Sequence, residues 1–388
     1  MHPQYQKIAS SPLGVSSDAY IYSAIPIEPP HKFLAISSDD SLSIFEVDSQ
    51  TIKPISIKSN HHKGLTCIQT FTTPSGSQAY VTAGRDGHIR AFSWPNHSQL
   101  WDLTTPNGKS ISALATHPSP DGLLLAAGTE HADEGLGDVA VYVWTLHPTA
   151  APTLVRSYTE SHTDTVTALH FAPAGAPRLL SASTDGLLHC FDLAAADEDD
   201  AVLVTFNNRA AVHHACLLTN DMVCAVGHDE RVSFYSVREE PELGEAETKP
   251  GPWDLRALLG CDYAASVRPG AGGDSVIVAV GANKLETAVV PWVGLCTFRV
   301  GLELLKAPPE PRFEGEMWMR LEGAHGEEVV RGVCYDYAQE GQLRIVLTCG
   351  EDGTVGMWRP VEGAAVERRE KSKKDKDKGD KAHRFKPY

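Results

Sequence analysis

A single spacing recurs along the chain and constrains its fold more than any other feature. An aspartate precedes an aromatic residue by six positions in six places: Asp39–Phe45, Asp86–Phe92, Asp138–Trp144, Asp185–Phe191, Asp229–Tyr235 and Asp352–Trp358. A seventh, weaker copy begins at Asn283, where Val289 replaces the aromatic residue. The intervals between the seven anchors are 47, 52, 47, 44, 54 and 69 residues. An internal period of this size predicts an array of similar supersecondary units.

The unit around Asp185 shows what each repeat contains. Between His162 and Asp192, alternating apolar runs are separated by a Pro/Gly-rich turn and by the turn Thr184-Asp185-Gly186. Such alternation predicts short antiparallel strands joined in a meander. A small sheet of this kind cannot bury both of its faces alone, whereas seven sheets stacked radially bury a continuous core. The sequence therefore predicts an all-β, seven-bladed β-propeller.

The two ends of the chain predict how the ring closes. The residues after Trp358 offer no good outer strand for the last blade, and an exposed sheet edge is normally covered. We therefore expect residues 5–10, within an N-terminal segment 1–17, to be the outer strand beside Met357. The propeller itself is assigned to residues 18–360. Residues 361–388 form a basic, low-complexity segment, for which we expect a disordered tail.

Charge is distributed unevenly between the body and the tail. The formal net charge is −16, and residues 367–388 hold ten Lys or Arg and five Asp or Glu, so the tail carries +5 and the remainder −21. An acidic body with a basic tail favours basic partners for the body and acidic partners for the tail. The eight cysteines include no CxxC pair, which is typical of reduced proteins of the nucleus or cytoplasm. The given sequence shows neither a basic-then-apolar start nor an apolar run of about eighteen residues, so we expect neither secretion nor a membrane span.

Several motifs in the sequence resemble those of a known family. His162, Ser181 or Ser183, Asp185 and Phe191 match the hydrogen-bonded His–Ser–Asp–Trp set of WD40 repeats, with Phe in place of Trp. The segments TESHTDTVTALHF, STDGLLHCFDL and VGANK resemble the WD repeat-containing protein 89 family, and the resemblance extends over residues 5–360. It implies a WD40 propeller and little about function, because that family is described mainly by its repeats. The basic tail has no counterpart in it.

A first group of polar residues is expected to be structural. His62, His162 and His325 each precede a turn aspartate by 23 to 27 residues, which indicates a structural hydrogen bond and not a catalytic dyad. Turn aspartates commonly accept hydrogen bonds from the backbone of their own turns. We expect this role for Asp39, Asp86, Asp138, Asp185, Asp229 and Asp352.

A second group of acidic residues is not required for these structural hydrogen bonds. It lies beside the anchors, on turns that a propeller presents on one face, and it consists of Asp40, Glu130, Asp133, Glu134, Glu230 and Glu351. Loops held by a rigid ring are where binding concentrates. The hypothesis is that this face binds a basic client, a ribosomal protein or histone segment, in ribosome assembly. The alternative is that these residues form only a solvated acidic surface and bind no partner.

Another role in binding remains open. The chain is alternatively a subunit of a larger regulatory assembly, such as a ubiquitin ligase or chromatin complex, docked through blade six and residues 238–252. In the tail, Arg384, Phe385, Lys386 and Tyr388 combine cations with aromatic rings, a mixture that suits RNA contact or a short docking motif. A nuclear-import or solubilising tail is equally compatible, and a net charge of +5 predicts only weak nucleic-acid binding.

Enzymatic and metal chemistry find little support in the sequence. Gly108-Lys109-Ser110 lacks the glycine that a phosphate-binding loop places five residues earlier. His213 and His214, with Cys216 nearby, have no second ligand pair at zinc spacing. We expect no catalysis, no cofactor, no metal and no membrane insertion. The expected assembly state is a monomeric propeller within a complex of protein partners.

Overall fold

The computed structural model describes most of the chain. The described residues are 4–28, 31–59, 61–73, 75–119, 122–132, 138–147, 150–173, 177–237, 252–270, 275–284, 290–299, 316–337 and 343–361. They form seven four-stranded antiparallel sheets, the blades of a β-propeller. The prediction of an all-β, seven-bladed propeller is confirmed.

Each of the first four blades follows the chain from an inner to an outer strand. The chain begins with β1 (Tyr5–Ser11). Blades one and two contain β2 (Ile21–Glu28), β3 (Lys32–Ser37), β4 (Leu42–Val47), β5 (Ile52–Lys58), β6 (Leu65–Thr72), β7 (Gln78–Gly84), β8 (His88–Ser93) and β9 (Gln99–Thr104). Blades three and four contain β10 (Ile111–Ser119), β11 (Gly122–Thr129), β12 (Val141–Leu146), β13 (Thr153–Tyr158), β14 (Val166–Phe171), β15 (Arg178–Ser183), β16 (Leu187–Asp192), the short helix α1 (Glu198–Ala201) and β17 (Val202–Asn207).

The last three blades repeat this order, with one exception at the ring closure. Blade five contains β18 (Val212–Thr219), β19 (Met222–Gly227), β20 (Arg231–Ser236) and β21 (Trp253–Asp254), and α2 (Leu255–Leu259) follows it. Blade six contains β22 (Tyr263–Pro269), β23 (Ser275–Ala282), β24 (Trp292–Arg299) and β25 (Glu316–Glu322). Blade seven contains β26 (Val330–Tyr337), β27 (Leu343–Gly350) and β28 (Val355–Pro360). Within the described ranges, neither helix has the length or apolar character needed to cross a membrane.

The N-terminal strand closes the ring, as the sequence predicted. β1 pairs antiparallel with the outer side of β28, so that blade seven has the strand order β1-β28-β27-β26. Tyr5 lies opposite Pro360, Ala9 opposite Met357 and Ser11 opposite Val355. The two ends of the chain thus share one sheet, and the edge that β28 would otherwise expose is covered.

Burial explains why the middle strands are apolar throughout while the outer strands alternate. Five consecutive residues of β3, Phe33–Ser37, are buried, because neighbouring blades cover both faces of the middle strands. β5 instead has mostly exposed or half-buried residues. Apolar clusters extend across blade junctions: Val81 and Ile89 of blade two share one with Leu125 and Tyr142 of blade three. Among the described residues, the core therefore lies between blades, with one apolar cluster at each of the seven junctions.

The aromatic residues of the recurring spacing lie on the third strand of their blades, and each is at most 6% exposed: Phe45, Phe92, Trp144, Phe191, Tyr235 and Trp358. Blade six differs because residues are inserted between Asn283 and β24. The register pairs Ile277 with Thr297, so half-buried Thr297 takes the place of the aromatic residue. The sequence had assigned that place to Val289, which lies outside the described residues.

Removal of β1 tests the closure. Deletion of residues 1–11 exposes the β28 edge and uncovers part of the core at the junction of blades seven and one. We expect the free energy of unfolding to fall by more than about 3 kcal/mol, a loss typical of core disruption, and the whole ring to unfold at lower urea concentration. The control is a chain truncated after Val361. Equal urea midpoints for both truncated chains would contradict the closure role.

Candidate partner-binding face

One face of the ring carries two series of loops, and we call it the anchor face. The first series joins the second and third strands of each blade, and the second leads from each outer strand into the next blade. The described parts of these loops lie within residues 12–20, 38–41, 59–64, 85–87, 105–110, 130–140, 159–165, 184–186, 208–211, 228–230, 255–262, 283–291, 323–329 and 351–354.

Five anchor turns place an aspartate before a residue in the left-handed backbone region. The left-handed residues are Asp40 (φ 63°), Gly87 (73°), Gly186 (85°), Glu230 (59°) and Gly353 (70°). Glycine adopts this conformation without strain, whereas a residue with a Cβ is disfavoured there by roughly 1–2 kcal/mol. Asp40 and Glu230 therefore occupy positions where glycine would be the ordinary choice.

Three blades contain the hydrogen-bonded set that the WD40 resemblance implied. The His162 Nδ1 atom lies 3.1 Å from Asp185 Oδ2, and its Nε2 lies 2.7 Å from Ser181 Oγ. Ser181, not Ser183, is thus the hydroxyl partner; Ser183 Oγ donates to the carbonyl of Asp164 instead. The other two sets join His62 to Asp86 and Thr82, and His325 to Asp352 and Thr348, over distances of 2.7–2.9 Å.

These contacts keep the aspartates ionised. Burial alone would raise the pKa of Asp185, but hydrogen bonds from His162 and the Thr163 N–H outweigh it and lower that pKa to about 2. The same balance lowers the pKa of Asp86 and of Asp352. Burial also lowers the pKa of His62 despite its bond to Asp86. Each set is therefore a buried structural network.

Blade one replaces the histidine with a serine from the connection after β1. The carboxylate of Asp39 accepts hydrogen bonds from the backbone N–H and hydroxyl of Ser16 and from the hydroxyl of Ser37. These bonds lower the pKa of Asp39 to about 2 against the opposing effect of burial. In blade five, Asp229 accepts from the Arg231 N–H of its own turn, as expected of a turn aspartate.

Asp138 of blade three differs from the other turn aspartates. Its side chain is 62% exposed and pairs with Lys109 at 3.0 Å. Trp144 lies opposite Leu125, and counting six positions from Leu125 along the chain leads to His131. Asp138 comes after inserted residues, so it keeps its spacing to Trp144 but not the buried anchor position. Fully buried Thr129 holds this end of the blade by accepting a hydrogen bond from the Ala140 N–H.

Asp40 and Glu230 reach from their own blade to the next one. Asp40 accepts hydrogen bonds from the backbone N–H groups of Gly64 (2.9 Å) and Leu65 (2.7 Å), at the start of blade two. Glu230 accepts from the Ala264 N–H in blade six at 2.7 Å. Both residues had been considered as partner-binding groups, and the structure places both carboxylates in junctions between blades.

The remaining candidates of the acidic group fall into two sets. Glu130 forms a two-point ion pair with Arg85, with N···O distances of 2.9 and 3.1 Å, and Glu351 pairs with Arg331. Both carboxylates stay partly exposed. The other partner-binding and tail candidates lie outside the described residues: Asp133, Glu134, Arg384, Phe385, Lys386 and Tyr388.

A series of hydroxyl bonds between blades was not anticipated from the sequence. Thr66 Oγ1 donates to the carbonyl of Ile111 (2.6 Å), Ser112 Oγ to that of Val166 (2.7 Å), and Thr167 Oγ1 to that of Val212 (2.8 Å). Each donor is the second residue of an inner strand and follows a buried aliphatic residue. That pattern, an aliphatic residue then Ser or Thr at the start of an inner strand, was the available signal.

Acidic residues dominate the anchor face. In the described parts of its loops, 16 Asp or Glu residues stand against six Lys or Arg. Many of the carboxylates serve turns and junctions. The side-chain carboxylates of Glu160, Glu327 and Glu328 are exposed and make no hydrogen bond to any residue that the structure describes. These carboxylates can therefore contact a partner without breaking a hydrogen bond to a described residue.

The residues that the sequence offered as a metal fragment are His213, His214 and Cys216 in the described part of the chain. This part of the chain contains no group of three His, Cys, Asp or Glu residues that could hold a metal ion. His213 stacks on His214 at a ring-centroid distance of 4.1 Å and lies 5.0 Å from His228. Cys216 is buried in the core between blades five and six, and burial raises its pKa to about 12.

Comparison with known proteins supports the assignment of the repeats. The family model for the WD domain, G-beta repeat, matches residues 152–192. An uncharacterized WD repeat-containing protein of Saccharomyces cerevisiae is 29% identical over 62% of this chain and 54% of its own length. Another of Schizosaccharomyces pombe is 24% identical over 90% of this chain and 99% of its own length. The WD repeat-containing protein 89 homolog of Dictyostelium discoideum is 25% identical over 58% of this chain and 56% of its own length.

The propeller fold, the three buried networks and these matches define the class. The chain folds as a seven-bladed β-propeller with a WD40 repeat at residues 152–192, and propellers of this repeat class are generally non-enzymatic scaffolds that bind protein partners. Within that class it resembles the WD repeat-containing protein 89 homolog. The match spans about half the length of the first and third relatives and nearly all of the second.

Two substitutions at Asp40 separate its hydrogen bonds from its backbone strain. Asp40→Ala leaves two backbone N–H groups of blade two without their charged acceptor, which should destabilise the protein by about 2–4 kcal/mol. Asp40→Gly loses the same bonds but removes the left-handed strain, so we expect its loss to be smaller by about 1 kcal/mol. Urea unfolding measures both. Unchanged stability in Asp40→Ala would show that the junction does not depend on this carboxylate.

We expect histidines that are buried or partly buried to make the fold sensitive to acid. Burial lowers the pKa of His61, His189 and His213 to about 4 and that of His214 to about 3, from 6.5. Between pH 6.5 and 4 the unfolded chain therefore binds more protons, so stability falls as pH falls. We expect urea midpoints to drop through this window and to drop less in His213→Asn. A pH-independent midpoint from 6.5 to 4 would contradict this.

Proposed function

We propose that the anchor face binds a Lys/Arg-rich segment of a partner protein. The observation that carries this proposal is the excess of acidic over basic residues on the described loops of that face, 16 to six. A rigid ring holds these loops in fixed positions, so a partner loses little to ordering them on binding. Opposite charges across an interface also speed association and select the partner.

The groups available to such a partner are a subset of the acidic residues. Asp40 and Glu230 are committed to blade junctions, so the proposed contact set is Glu130, Glu351 and the exposed Glu160, Glu327 and Glu328. The Arg85–Glu130 and Arg331–Glu351 pairs are partly exposed, and pairs of that kind are worth about 0–1 kcal/mol. An arginine of the partner could therefore replace Arg85 or Arg331 at small cost.

The proposed client is a ribosomal protein or histone segment, because both classes combine many cations with extended chain. A role in ribosome assembly, in the nucleus or cytoplasm, is part of the same proposal and is based on analogy with other WD40 proteins. Asp133 and Glu134, in the blade-three insertion, belong to the proposed contact set by sequence position alone.

The test is a pair of matched charge reversals on opposite faces. Glu327→Lys with Glu328→Lys changes the anchor face, and Glu28→Lys with Glu46→Lys makes the same change on exposed residues at the opposite end of blade one. Binding of a histone-tail peptide and of a basic ribosomal-protein extension is measured at low and high salt. We expect the first variant to bind at least about tenfold more weakly, a loss of 1.4 kcal/mol, and the second to change less than about twofold.

Either of two results would refute the proposal. Equal losses in both variants would mean that only total charge matters, and salt-independent binding would exclude an electrostatic interface. Folding of each variant is checked by its urea midpoint, so that weak binding is not mistaken for unfolding.

One observation favours a second candidate, a subunit docked at blade six, where the anchor-face loops expose two aliphatic side chains. Leu258 of α2 is 49% exposed and Val290, before β24, is 44% exposed. Exposed aliphatic groups of this size suit apolar contact with a neighbouring subunit. Partners that survive high salt but are lost in Leu258→Asp would support this candidate, and partners unaffected by that substitution would not. Most of residues 238–252, proposed for the same contact, lie outside the described residues.

A further inference from the structure

A polar cleft lies on blade two, beside its junction with blade one. Its walls come from the connection between β5 and β6 (His61, Lys63), from β8 (Arg90, Phe92) and from β9 (Gln99), and its volume is about 330 Å³. A space of this size accommodates a small ligand or one side chain of a partner. The surrounding groups decide which chemistry it favours.

Two lysines next to this cleft have no acidic partner among the residues that the structure describes. Lys63 lines the cleft and is exposed. The Lys58 ammonium lies 5.8 Å from the ring centroid of Phe92, a wall residue. The other charged group of β5 that could be compared, Lys53, is instead paired with Asp48 at 3.0 Å. Lys58 and Lys63 therefore bring uncompensated positive charge to the cleft.

Arg90 adds an unused donor. Its Nε donates to Asp102, and its Nη1 donates to Asp86 and to the carbonyl of His61. Its Nη2 donates to no residue of the described chain. Asp86 is itself occupied by His62 and by the His88 N–H. The two aspartates thus hold Arg90 in place, and its third nitrogen remains available.

His61 also lines the cleft, and one of its ring nitrogens has no hydrogen-bond partner in the part of the chain that the structure describes. Its ring packs on Phe92 at a centroid distance of 4.3 Å, and its buried Nε2 has no hydrogen-bond partner among the described residues. Burial, together with His62, Lys58 and Arg90, lowers the pKa of His61 to about 4. Because this nitrogen is closed to solvent, His61 contributes a neutral wall beside the cations and not a donor to the ligand.

We propose that this cleft binds an oxyanion, the carboxylate or phosphoryl group of an anionic ligand. Lys58, Lys63 and Arg90 exceed Asp86 and Asp102 by one positive charge, within a chain whose net charge is −16. Oxyanions accept several hydrogen bonds at once, and charge-assisted bonds to Lys and Arg are the strong ones. The cleft shares the anchor face with the proposed basic client, since His61 and Lys63 lie in one of its loops, but it uses cations and occupies a single blade junction.

The test uses the full chain with inorganic phosphate and with acetate, each compared with chloride at equal ionic strength. Imidazole signals of His61 in nuclear magnetic resonance spectra report binding at this site. We expect saturable shifts with phosphate, and a dissociation constant raised at least about tenfold in Lys58→Gln with Lys63→Gln. Lys7→Gln with Lys53→Gln removes two charges away from the cleft and should change the constant less than about twofold.

The small anions also distinguish the ligand's chemistry. Saturation by phosphate alone assigns the site to a phosphoryl group, and saturation by acetate as well assigns it to carboxylates too. A serine peptide and its phosphorylated form then separate free phosphate from a phosphorylated side chain. The proposal is overturned if neither anion shifts His61 beyond chloride, or if the double variant binds phosphate as tightly as the unchanged chain.

Discussion

The hydrogen bonds that join each blade to the next are the interaction on which the ring depends. A blade alone leaves apolar residues on both faces of its middle strands, so it requires neighbours. Apolar packing is non-directional and does not by itself set the angle between blades. Thr66, Ser112 and Thr167 supply directional bonds at three junctions, and Asp40 and Glu230 supply them at two others. Side chains of different chemistry thus perform one function around the ring.

This division of labour limits what the anchor face can offer a partner. A carboxylate that accepts backbone N–H groups of the next blade cannot also leave to bind a client without opening a junction. Carboxylates paired with surface arginines can exchange partners at little cost. Asp40 and Glu351 look equivalent in sequence, since each adjoins an anchor aspartate, yet only Glu351 is free to exchange. The number of carboxylates on the anchor face therefore exceeds the number that can bind a partner.

The sequence predicted what is local and periodic. The Asp-to-aromatic spacing predicts the fold because a tight turn and a buried third strand lie a fixed number of residues apart. The same repeats located the histidine networks, and the missing outer strand after Trp358 predicted the closing strand. The spacing failed at Val289 and misplaced Asp138, because insertions separate the turn from the strand in blades six and three. The cleft could not be predicted, since Lys58, Arg90 and Gln99 come together only when two blades meet.

The pairing of β1 with β28 has a consequence for the order of events in synthesis. β1 leaves the ribosome before every other strand of the propeller, and its partner is made some 350 residues later, at about 5–20 residues per second. For tens of seconds the first strand has no sheet to join. Its contact is among the most distant in sequence that this chain can make, and such contacts are slow to form. The ring therefore closes only after all seven blades have been synthesised.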